Sequence, residues 1–416
     1  MTKEALTQYG KTFCILPFTH AATYTDGSVI LCCMAKNIGN LNLNRQSWQE
    51  IWNSEHFKNA RKTLLDGEKY PACQRCYSEE AVGIKSHRQM ENYVAAKDLG
   101  EDYINELINS TDTDGNLEKN LITVDFRLGN TCNLQCVMCR PTDSSKWLSD
   151  SRILARELKS DIRWEWQDKS NINTSDFDWY KRSEFWESFF ESADNIRHMI
   201  LAGGEPMYIK EHRYLLSELV NRGFSKNITI RYHTNGIIYS PEVVELWKHF
   251  KHIELMISLD GHDWVNSYIR YPADWQVIAD NLQKYDDTPD NISIQINCTV
   301  QALNIFWLPE FCEWLLEQEY KKVSKILSKT FHGSALHFPV YLSTKVLPLE
   351  DKKIITEKIS NFILKYPKNR HISELRGMVE FMNSEDLSKF YPQTIEYLEK
   401  LDALHGTNFK PLLDIR

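Results

Sequence analysis

Between residues 121 and 343 the chain alternates between short apolar runs and segments with helical spacing. The apolar runs are ITVDFRLG, NIRHMILAG, NITIRYHTN, HIELMISLD, NISIQINCTV and HFPVYLS. Segments such as HRYLLSELVNRG and PEVVELWKHF separate these runs and carry apolar residues every three or four positions. Six strands that alternate with helices predict a parallel α/β sheet, closed partly or fully into a barrel.

The first 90 residues follow a different pattern. FCILPFTHAATYTDGSVILCC predicts two short strands joined by a turn at Asp26–Gly27. A capping box at Ser47–Glu50 predicts a helix, and a second helix is expected from Ser54 to near Gly67. The expected organisation is a small domain over residues 1–90, a helix and linker over 91–120, the barrel over 121–345 and a helical region over 346–416.

The predicted helices at the end of the chain share an apolar face that contains Ile355, Ile359, Phe362 and Tyr366. A long gap between the first two barrel strands, residues 141–195, carries five tryptophans: Trp147, Trp164, Trp166, Trp179 and Trp186. We expect these side chains to pack helices together. The alternative is a lid that covers the pocket of the barrel.

Composition and charge restrict the partners and the cellular location that are expected. The chain has 416 residues and a formal net charge of -8, which argues against a nucleic-acid partner. No apolar run is long enough to span a membrane, and the first residues lack the apolar core of a signal peptide. We therefore expect a cytoplasmic protein without a membrane partner.

The ten cysteines are unevenly distributed, because eight of them lie in the first third of the chain. In a reducing compartment disulfides are disfavoured, and clustered cysteines indicate metal or redox chemistry. Three of them, Cys132, Cys136 and Cys139, lie in one loop directly after the first barrel strand. A structural zinc site takes four ligands, whereas three thiolates on a [4Fe-4S] cluster leave one iron open. The loop also follows the carboxyl end of a barrel strand, where such folds place their active sites.

The C-x3-C-x2-C spacing of this loop resembles that of the radical S-adenosylmethionine (SAM) enzymes. The resemblance implies that Cys132, Cys136 and Cys139 hold a [4Fe-4S] cluster whose open iron binds SAM. It also implies that one electron cleaves SAM to methionine and a 5'-deoxyadenosyl radical, which abstracts hydrogen from a substrate carbon.

Further motifs at strand ends extend the resemblance over residues 121–345. LAGGEP is similar to the motif that holds the SAM amino group: Gly203 and Gly204 allow close approach to the backbone, and Glu205 can accept from an ammonium. HTNG and MISLDG end the next two strands, and Arg270 occupies the place of an arginine on the SAM carboxylate. Met138 stands where many members have an aromatic residue. The implied SAM-binding set is Met138, Gly203, Gly204, Glu205, Pro206, Asn235, Ser258, Asp260, Arg270 and Asn297.

Four N-terminal cysteines, Cys14, Cys32, Cys73 and Cys76, form a second group. Four thiolates close a metal site, and zinc is the generic interpretation of two cysteine pairs. The spacing C-x12-G-x4-C followed by C-x2-C resembles the twitch domain, the short form of the SPASM domain. This resemblance implies an auxiliary [4Fe-4S] cluster, although twitch domains usually follow the barrel.

The three remaining cysteines are not expected to be ligands. Cys33 should point away from the metal site, although it could replace Cys32. Cys298 and Cys312 lie among apolar residues, so we expect both to be buried and structural.

Alternate residues of a barrel strand face the interior. Asp125 and Arg127 share one parity on the first strand, and Arg231 and His233 share one with Asn235 on the third. We take His233 and Arg127 as candidate catalytic residues that contact substrate or SAM. An ion pair between Arg127 and Glu254 is the structural alternative, and the sequence does not identify a general base.

The resemblance implies an oxidoreductase with two [4Fe-4S] clusters, SAM and an electron donor such as flavodoxin or ferredoxin. The first hypothesis is hydrogen abstraction from a peptide or protein, with the auxiliary cluster accepting an electron as an oxidation or crosslink forms. The second is a small-molecule dehydrogenase acting on a sugar or cyclitol. The third is a non-catalytic zinc-binding module, which explains neither GGEP nor the three-cysteine loop.

Overall fold

The computed structural model describes residues 6–81, 83, 85–118, 121–318, 320–322 and 331–415. In this part of the chain nine strands form one sheet in the order β3-β2-β1-β4-β5-β6-β7-β8-β9. The strands are β1 (His20–Thr23), β2 (Ser28–Ile30), β3 (Leu41–Asn42), β4 (Thr123–Arg127), β5 (His198–Ala202), β6 (Thr229–Thr234), β7 (His252–Ser258), β8 (Ile292–Val300) and β9 (Phe331–Ala335).

The helices cover the sheet and the cysteine-bearing segments. They are α1 (Leu16–Thr19), α2 (Trp48–Trp52), α3 (Glu55–Leu65), α4 (Gln74–Ala81), α5 (His87–Asp98), α6 (Glu101–Asn109), α7 (Trp147–Glu157), α8 (Ile162–Ser170), α9 (Ser183–Glu191), α10 (Lys210–Asn221), α11 (Pro241–Trp247), α12 (Asp263–Ile269), α13 (Trp275–Asp286), α14 (Leu308–Glu317), α15 (Leu349–Lys365), α16 (Arg370–Asn383), α17 (Tyr391–His405) and α18 (Lys410–Leu413). Among the described residues no helix is both long and apolar enough to cross a membrane.

Strands β4 to β9 are all parallel to their neighbours, as the alternation of strands and helices predicts. Each strand returns through at least one helix, so every carboxyl end lies at the same edge of the sheet. The outward-facing side chains of β4, such as Val124 and Phe126, are fully buried under helices. This part of the α/β prediction is confirmed.

The N-terminal segment joins the same sheet, which the sequence did not predict. Strand β1 pairs in parallel with β4, so that Ala22 lies beside Asp125. Strands β2 and β3 continue the sheet in antiparallel fashion, and β1 and β2 form the hairpin expected around Asp26–Gly27. Backbone hydrogen bonds therefore connect the first cysteine-bearing segment directly to the first barrel strand.

The prediction of the sixth barrel strand was wrong. HFPVYLS does not form a strand; its residues Val340–Leu342 form a short 3-10 turn, and β9 lies at Phe331–Ala335 instead. The run is apolar like a buried strand, which led to the prediction. It contains Pro339, however, which has no N–H to donate to a neighbouring strand.

The tryptophans of the 141–195 segment mostly pack helices, as expected. Trp147, Trp166 and Trp179 are fully buried and Trp186 nearly so, whereas Trp164 remains 55% exposed. Trp166 stacks on Tyr397 of α17 with ring centroids 5.7 Å apart. The C-terminal region is helical as expected, with Ile355, Ile359 and Phe362 buried on one face of α15.

Candidate functional site

The three-cysteine loop follows β4 at the carboxyl edge of the sheet, where its backbone is held by distant segments. The indole of Trp147 donates to the carbonyl of Cys136 at 3.2 Å, and the Tyr397 hydroxyl donates to the Val137 carbonyl at 2.8 Å. The Val137 N–H donates in turn to the Ile269 carbonyl at 2.8 Å. These three bonds hold the backbone at Cys136 and Val137 in place.

The thiols of this loop are strongly affected by their surroundings. Burial raises the pKa of Cys132 to about 12, whereas the neighbouring Cys139 thiol lowers the pKa of Cys136, with a smaller contribution from the Arg270 guanidinium. Arg270 Nη1 lies 3.9 Å from Cys136 Sγ.

The GGEP segment packs directly on the cysteine loop. Gly203 has φ +110, and a Cβ on Gly204 would overlap the carbonyl oxygen of Thr131. Glycine is therefore required at both positions, one by its backbone conformation and the other by close approach of the loop.

The Glu205 side chain has a different role from the one expected. Its carboxylate is 1% exposed and accepts from the Thr234 hydroxyl and the Asn235 N–H, each at 2.8 Å, and from the Met207 N–H at 3.1 Å. Burial raises the pKa of Glu205 despite these donors. The carboxylate thus ties the end of β5 to the end of β6, and binding of a SAM ammonium by Glu205 stays a prediction.

Asp260 and Arg270 form a buried ion pair just beyond the carboxyl end of β7. Asp260 Oδ2 lies 2.9 Å from Arg270 Nε, at an angle outside that of a hydrogen bond, and Oδ1 accepts from the Thr299 N–H at 2.8 Å. The pair fixes the guanidinium next to the cysteine loop. Asn235 also faces the loop, because its amide donates to Asn133 Oδ1 at 2.7 Å.

The remaining residues predicted to contact SAM are less constrained. Ser258 and Asn297 are paired neighbours on β7 and β8, and both side chains are partly exposed. Met138 is partly buried and packs against the core, and Pro206 is buried. Their contacts with SAM stay predictions.

The four N-terminal cysteines line one cavity, as the spacing implied. Cys14, Cys32, Cys73 and Cys76 line one small cavity together with Met34, His87 and Arg88. Burial raises the pKa of Cys32 to about 12 and of Cys73 to about 11. Such buried thiols gain most from a bound cation, since it removes the cost of the thiolate charge.

Both cysteine groups offer thiolate ligands, which suit a zinc ion or an iron-sulfur cluster. A zinc ion needs its four sulfurs about 2.3 Å from one centre, whereas a [4Fe-4S] cluster carries each thiolate on a separate iron. Cys14, Cys32, Cys73 and Cys76 would hold the auxiliary cluster, and Cys132, Cys136 and Cys139 the SAM-binding cluster.

The other three cysteines lie outside both groups. Cys298 and Cys312 are 0% and 1% exposed in the core, in agreement with a structural role. Cys33 is exposed, and its sulfur lies 4.0 Å from His87 Nε2.

Contacts from the C-terminal region reach the residues that hold the cysteine loop, and these contacts could not be predicted from the sequence. His405 Nε2 lies 3.0 Å from Asp150 Oδ2, which also accepts from the Gln135 amide at 2.6 Å. The His405 ring stacks on Tyr271, whose carbonyl accepts from the Gln135 N–H. Gln135 stands between two cluster cysteines, but Tyr271 and His405, which complete this network, are distant in the sequence and share no local pattern with it.

The two candidate catalytic residues lie on inward-facing positions of β4 and β6. The predicted alternative, an ion pair of Arg127 with Glu254, is wrong because Glu254 pairs with Arg231 at 2.6 Å. Neither Arg127 nor His233 has a side-chain hydrogen bond or ion pair to a described residue. Burial, with the nearby Arg231 and Arg127, lowers the pKa of His233 to about 4, so its imidazole is neutral at pH 7.

Comparison with known families identifies both regions. Residues 14–77 match the SPASM iron-sulfur cluster-binding domain, and residues 126–289 match the radical SAM superfamily. The chain thus carries a radical SAM domain, which binds a [4Fe-4S] cluster and SAM, preceded by a SPASM domain for additional iron-sulfur binding. The N-terminal position of the SPASM domain agrees with the sequence prediction. No curated protein sequence matches the chain significantly.

Solved structures with similar folds are distant in sequence. Streptococcus suis SuiB bound to S-adenosylmethionine is 16% identical over 74% of this chain and 63% of its own, with a TM-score of 0.37. SuiB bound to the precursor peptide SuiA is 15% identical over 75% and 64%, with a TM-score of 0.34. Native anSMEcpe with AdoMet and the Cp18Cys peptide is 15% identical over 64% and 61%, with a TM-score of 0.35. The chain spans just under two thirds of each of these chains.

Proposed function

We propose that this chain, a radical SAM enzyme with an N-terminal SPASM domain, abstracts hydrogen from a peptide or protein substrate and completes an oxidation or crosslink. One observation carries the proposal: the two cysteine groups lie at opposite ends of the neighbouring strands β1 and β4. The three-cysteine loop follows the carboxyl end of β4, and Cys14 precedes the amino end of β1. A strand of five residues separates such ends by roughly 16 Å.

The bound groups would supply a 5'-deoxyadenosyl radical at one end of this strand pair and an electron acceptor at the other. The chain itself contributes the surroundings of that chemistry. Arg270, fixed by Asp260, offers a guanidinium for the SAM carboxylate beside the cysteine loop. Gly204 brings the backbone of GGEP against that loop, so the SAM amino group can meet backbone carbonyls there.

The interior between the two ends would position the reacting carbon. Among the described residues neither His233 nor Arg127 makes a side-chain hydrogen bond or ion pair, which supports their assignment as substrate contacts. A neutral His233 could accept a hydrogen bond or a proton, although its lowered pKa makes it a weak base. Arg127 could hold a carbonyl or carboxylate group of the substrate.

Exposed aromatic side chains beside the barrel rim favour a peptide over a small molecule. Tyr208, after β5, is 53% exposed, and Phe338, after β9, is 60% exposed. Both follow carboxyl ends of strands. A peptide extends beyond its reacting residue and can use such surfaces, whereas a sugar enclosed in the barrel gains nothing from them.

The first test is the cleavage of SAM. The protein is reconstituted without oxygen, its iron, sulfide and zinc are measured, and the reduced enzyme is incubated with SAM. We expect about eight irons per chain and formation of 5'-deoxyadenosine. Absence of 5'-deoxyadenosine would refute the proposal, and stoichiometric zinc with about four irons would refute the auxiliary cluster.

The substrate class has its own test. An extract of cells grown in heavy water is separated into a peptide fraction and a small-molecule fraction, and each is added to the reduced enzyme with SAM. We expect deuterium in 5'-deoxyadenosine only with the peptide fraction. Transfer from the small-molecule fraction alone would favour the sugar or cyclitol dehydrogenase instead.

A further inference from the structure

Two backbone hydrogen bonds join the three-cysteine loop to the segment that carries Arg270. The residues that flank Cys136 donate their N–H groups to the carbonyls of the residues that flank Arg270. The bonds run from Gln135 to Tyr271 at 2.6 Å and from Val137 to Ile269 at 2.8 Å. They place Cys136 opposite Arg270, in agreement with the 3.9 Å between Cys136 Sγ and Arg270 Nη1. A SAM molecule that meets both the cluster and Arg270 would span the distance that these bonds fix.

Helix α17 holds this connection at Val137. Tyr397 of α17 is fully buried, and its hydroxyl donates to the Val137 carbonyl at 2.8 Å. The N–H of Val137 is bound by the Arg270 segment and its carbonyl by α17, so the residue is held on both sides. The Tyr397 ring is itself fixed by its stacking on Trp166.

The last residue of α17, His405, holds the connection at Gln135. Its ring stacks on Tyr271 with centroids 4.1 Å apart and an angle of 4° between the planes. His405 Nε2 donates to Asp150 Oδ2 at 3.0 Å, and the same oxygen accepts from the Gln135 side-chain amide at 2.6 Å. His405 thus contacts one partner of the Gln135–Tyr271 bond directly and the other through Asp150.

These contacts converge on the backbone of the loop and on the Arg270 segment. Two hydrogen bonds alone hold a loop only weakly, because each of them replaces a bond to water. Helix α17 begins far beyond the barrel strands, and Tyr397 lies 260 residues from Val137 along the chain, yet the helix reaches both ends of the connection. Its two side chains therefore act on the relative position of the loop and Arg270.

We propose that α17 is a positioning element of the SAM site, in which Tyr397 and His405 keep Cys136 opposite Arg270 so that one SAM molecule meets the cluster and the guanidinium together. The inference rests on the proposed role of Arg270 at the SAM carboxylate, and it deepens that role by naming what fixes the arginine against the loop. SAM binds the closed arrangement, so its apparent affinity falls with the fraction of molecules in which the connection is closed. Tyr397 and His405 are positioning residues, since they act through Val137, Tyr271 and Gln135.

The first experiment measures the connection itself, without SAM, reductant or substrate. Amide hydrogen exchange of the reconstituted enzyme is followed by mass spectrometry at Gln135 and Val137. Tyr397→Phe removes one hydroxyl and keeps the ring, and we expect exchange at these amides to accelerate about fivefold, as the loss of one ordinary hydrogen bond should give. Tyr77→Phe is the matched control, because the Tyr77 hydroxyl also donates to a backbone carbonyl, that of Thr12 at 3.2 Å, but in the N-terminal domain. It should leave the exchange unchanged.

The second experiment measures SAM binding. SAM is titrated into the reduced enzyme, and the electron paramagnetic resonance spectrum reports its binding to the open iron of the cluster. We expect Tyr397→Phe and His405→Phe each to require about fivefold more SAM for half of the spectral change. His405→Phe keeps a ring to stack on Tyr271 but loses the donor to Asp150. His405→Gln restores a donor and should recover most of the affinity.

The outcomes separate positioning from a role in folding alone. Faster exchange with an unchanged SAM titration would show that α17 only holds the loop, and it would overturn the proposal, as would unchanged exchange. Should Tyr397→Phe fail to bind its irons, the comparison of His405→Phe with His405→Gln decides, and equal SAM affinity in these two variants counts against the proposal. None of these measurements needs a peptide. Failure of deuterium transfer from the peptide fraction would therefore refute the proposed substrate class and leave this inference intact.

Discussion

The two cysteine sites are assembled in opposite ways. The three cysteines of the SAM-binding loop lie within eight residues, Cys132–Cys139, whereas the four auxiliary cysteines come from three segments between residues 14 and 76. In the first site the chain fixes the loop from outside, through partners such as Trp147 and Tyr397. In the second, a hairpin and a helical turn bring the thiols together around a cavity. A site contained in one loop can be recognised from the spacing of its residues alone. A site assembled from several segments depends on the fold that brings them together.

Each site also has an arginine held by an acid. Arg270 is paired with the fully buried Asp260, and Arg88 is paired with Glu80 at 2.7 Å. Arg270 reaches toward a cysteine sulfur, while Arg88 donates to the backbone carbonyl of Phe13 at 2.6 Å. The first arginine can serve a ligand beside the cluster, and the second holds the segment that carries Cys14. The two arginines thus differ in their surroundings: Arg270 lies beside a cluster thiol, whereas Arg88 holds the backbone next to Cys14.

The largest effect is expected from removing the three-cysteine loop ligands. Replacing Cys132, Cys136 and Cys139 with alanine should abolish 5'-deoxyadenosine formation and leave about four irons per chain, because the auxiliary ligands remain. Iron analysis and chromatography of the SAM products check this. Residual SAM cleavage, or a protein without iron, would contradict the division into two independent sites.

Replacing Cys73 and Cys76 with alanine should give the converse result. The variant should still cleave SAM, but completed product should be lost because the substrate radical has no acceptor for its electron. Metal binding and folding are coupled, so the variant must be soluble and hold about four irons before product is measured by mass spectrometry. Normal product formation would show that the N-terminal domain, residues 1–90, has a structural role and does not accept the electron.

Particular residues show how far the sequence leads. Cys132, Cys136, Cys139 and GGEP could be located because each lies in one segment at a strand end. The pairing of β1 with β4 joins segments about a hundred residues apart, and no periodicity encodes it. The pairing of Glu254 with Arg231 was equally hidden, since strand parity gives the face of a side chain but not what that side chain contacts.

Arg270→Ala should weaken SAM binding by roughly 1.5–3 kcal/mol, the range for a hydrogen bond to a charged group. Equilibrium binding of SAM to the reconstituted protein measures this loss. Arg213→Ala is the matched control, because Arg213 is exposed and paired with Glu242 on the outer surface. Arg270→Ala also leaves the buried Asp260 without its ion-pair partner. Arg270→Lys, which keeps the charge, is needed to separate the loss of charge from the loss of structure. Unchanged SAM affinity in Arg270→Ala would show that another residue holds the carboxylate.

The smallest expected effect concerns buried histidines, one in each region. Burial lowers the pKa of two histidines to about 3: His20, the first residue of β1, and His212, on α10. His212 Nε2 lies 2.8 Å from the Tyr232 hydroxyl, which also accepts from the Trp247 indole. In the unfolded chain a histidine titrates near 6.5. Each histidine therefore stabilises the fold fully above that pH, and the stabilisation is lost as the pH falls from 6.5 toward 3.

Between pH 7.5 and 5.5 each of these histidines should lower the free energy of unfolding by about 1.4 kcal/mol. Anaerobic urea unfolding at the two pH values measures this loss, and His20→Asn and His212→Asn should each reduce it by one histidine's share. His249→Asn, at an exposed position, is the control. Because the β1–β4 pairing makes the module and barrel one continuous sheet, we expect both substitutions to act on a single unfolding transition. A separate early transition that responds only to His20→Asn would show instead that the module unfolds on its own, and the shared sheet would then not couple the two cysteine sites.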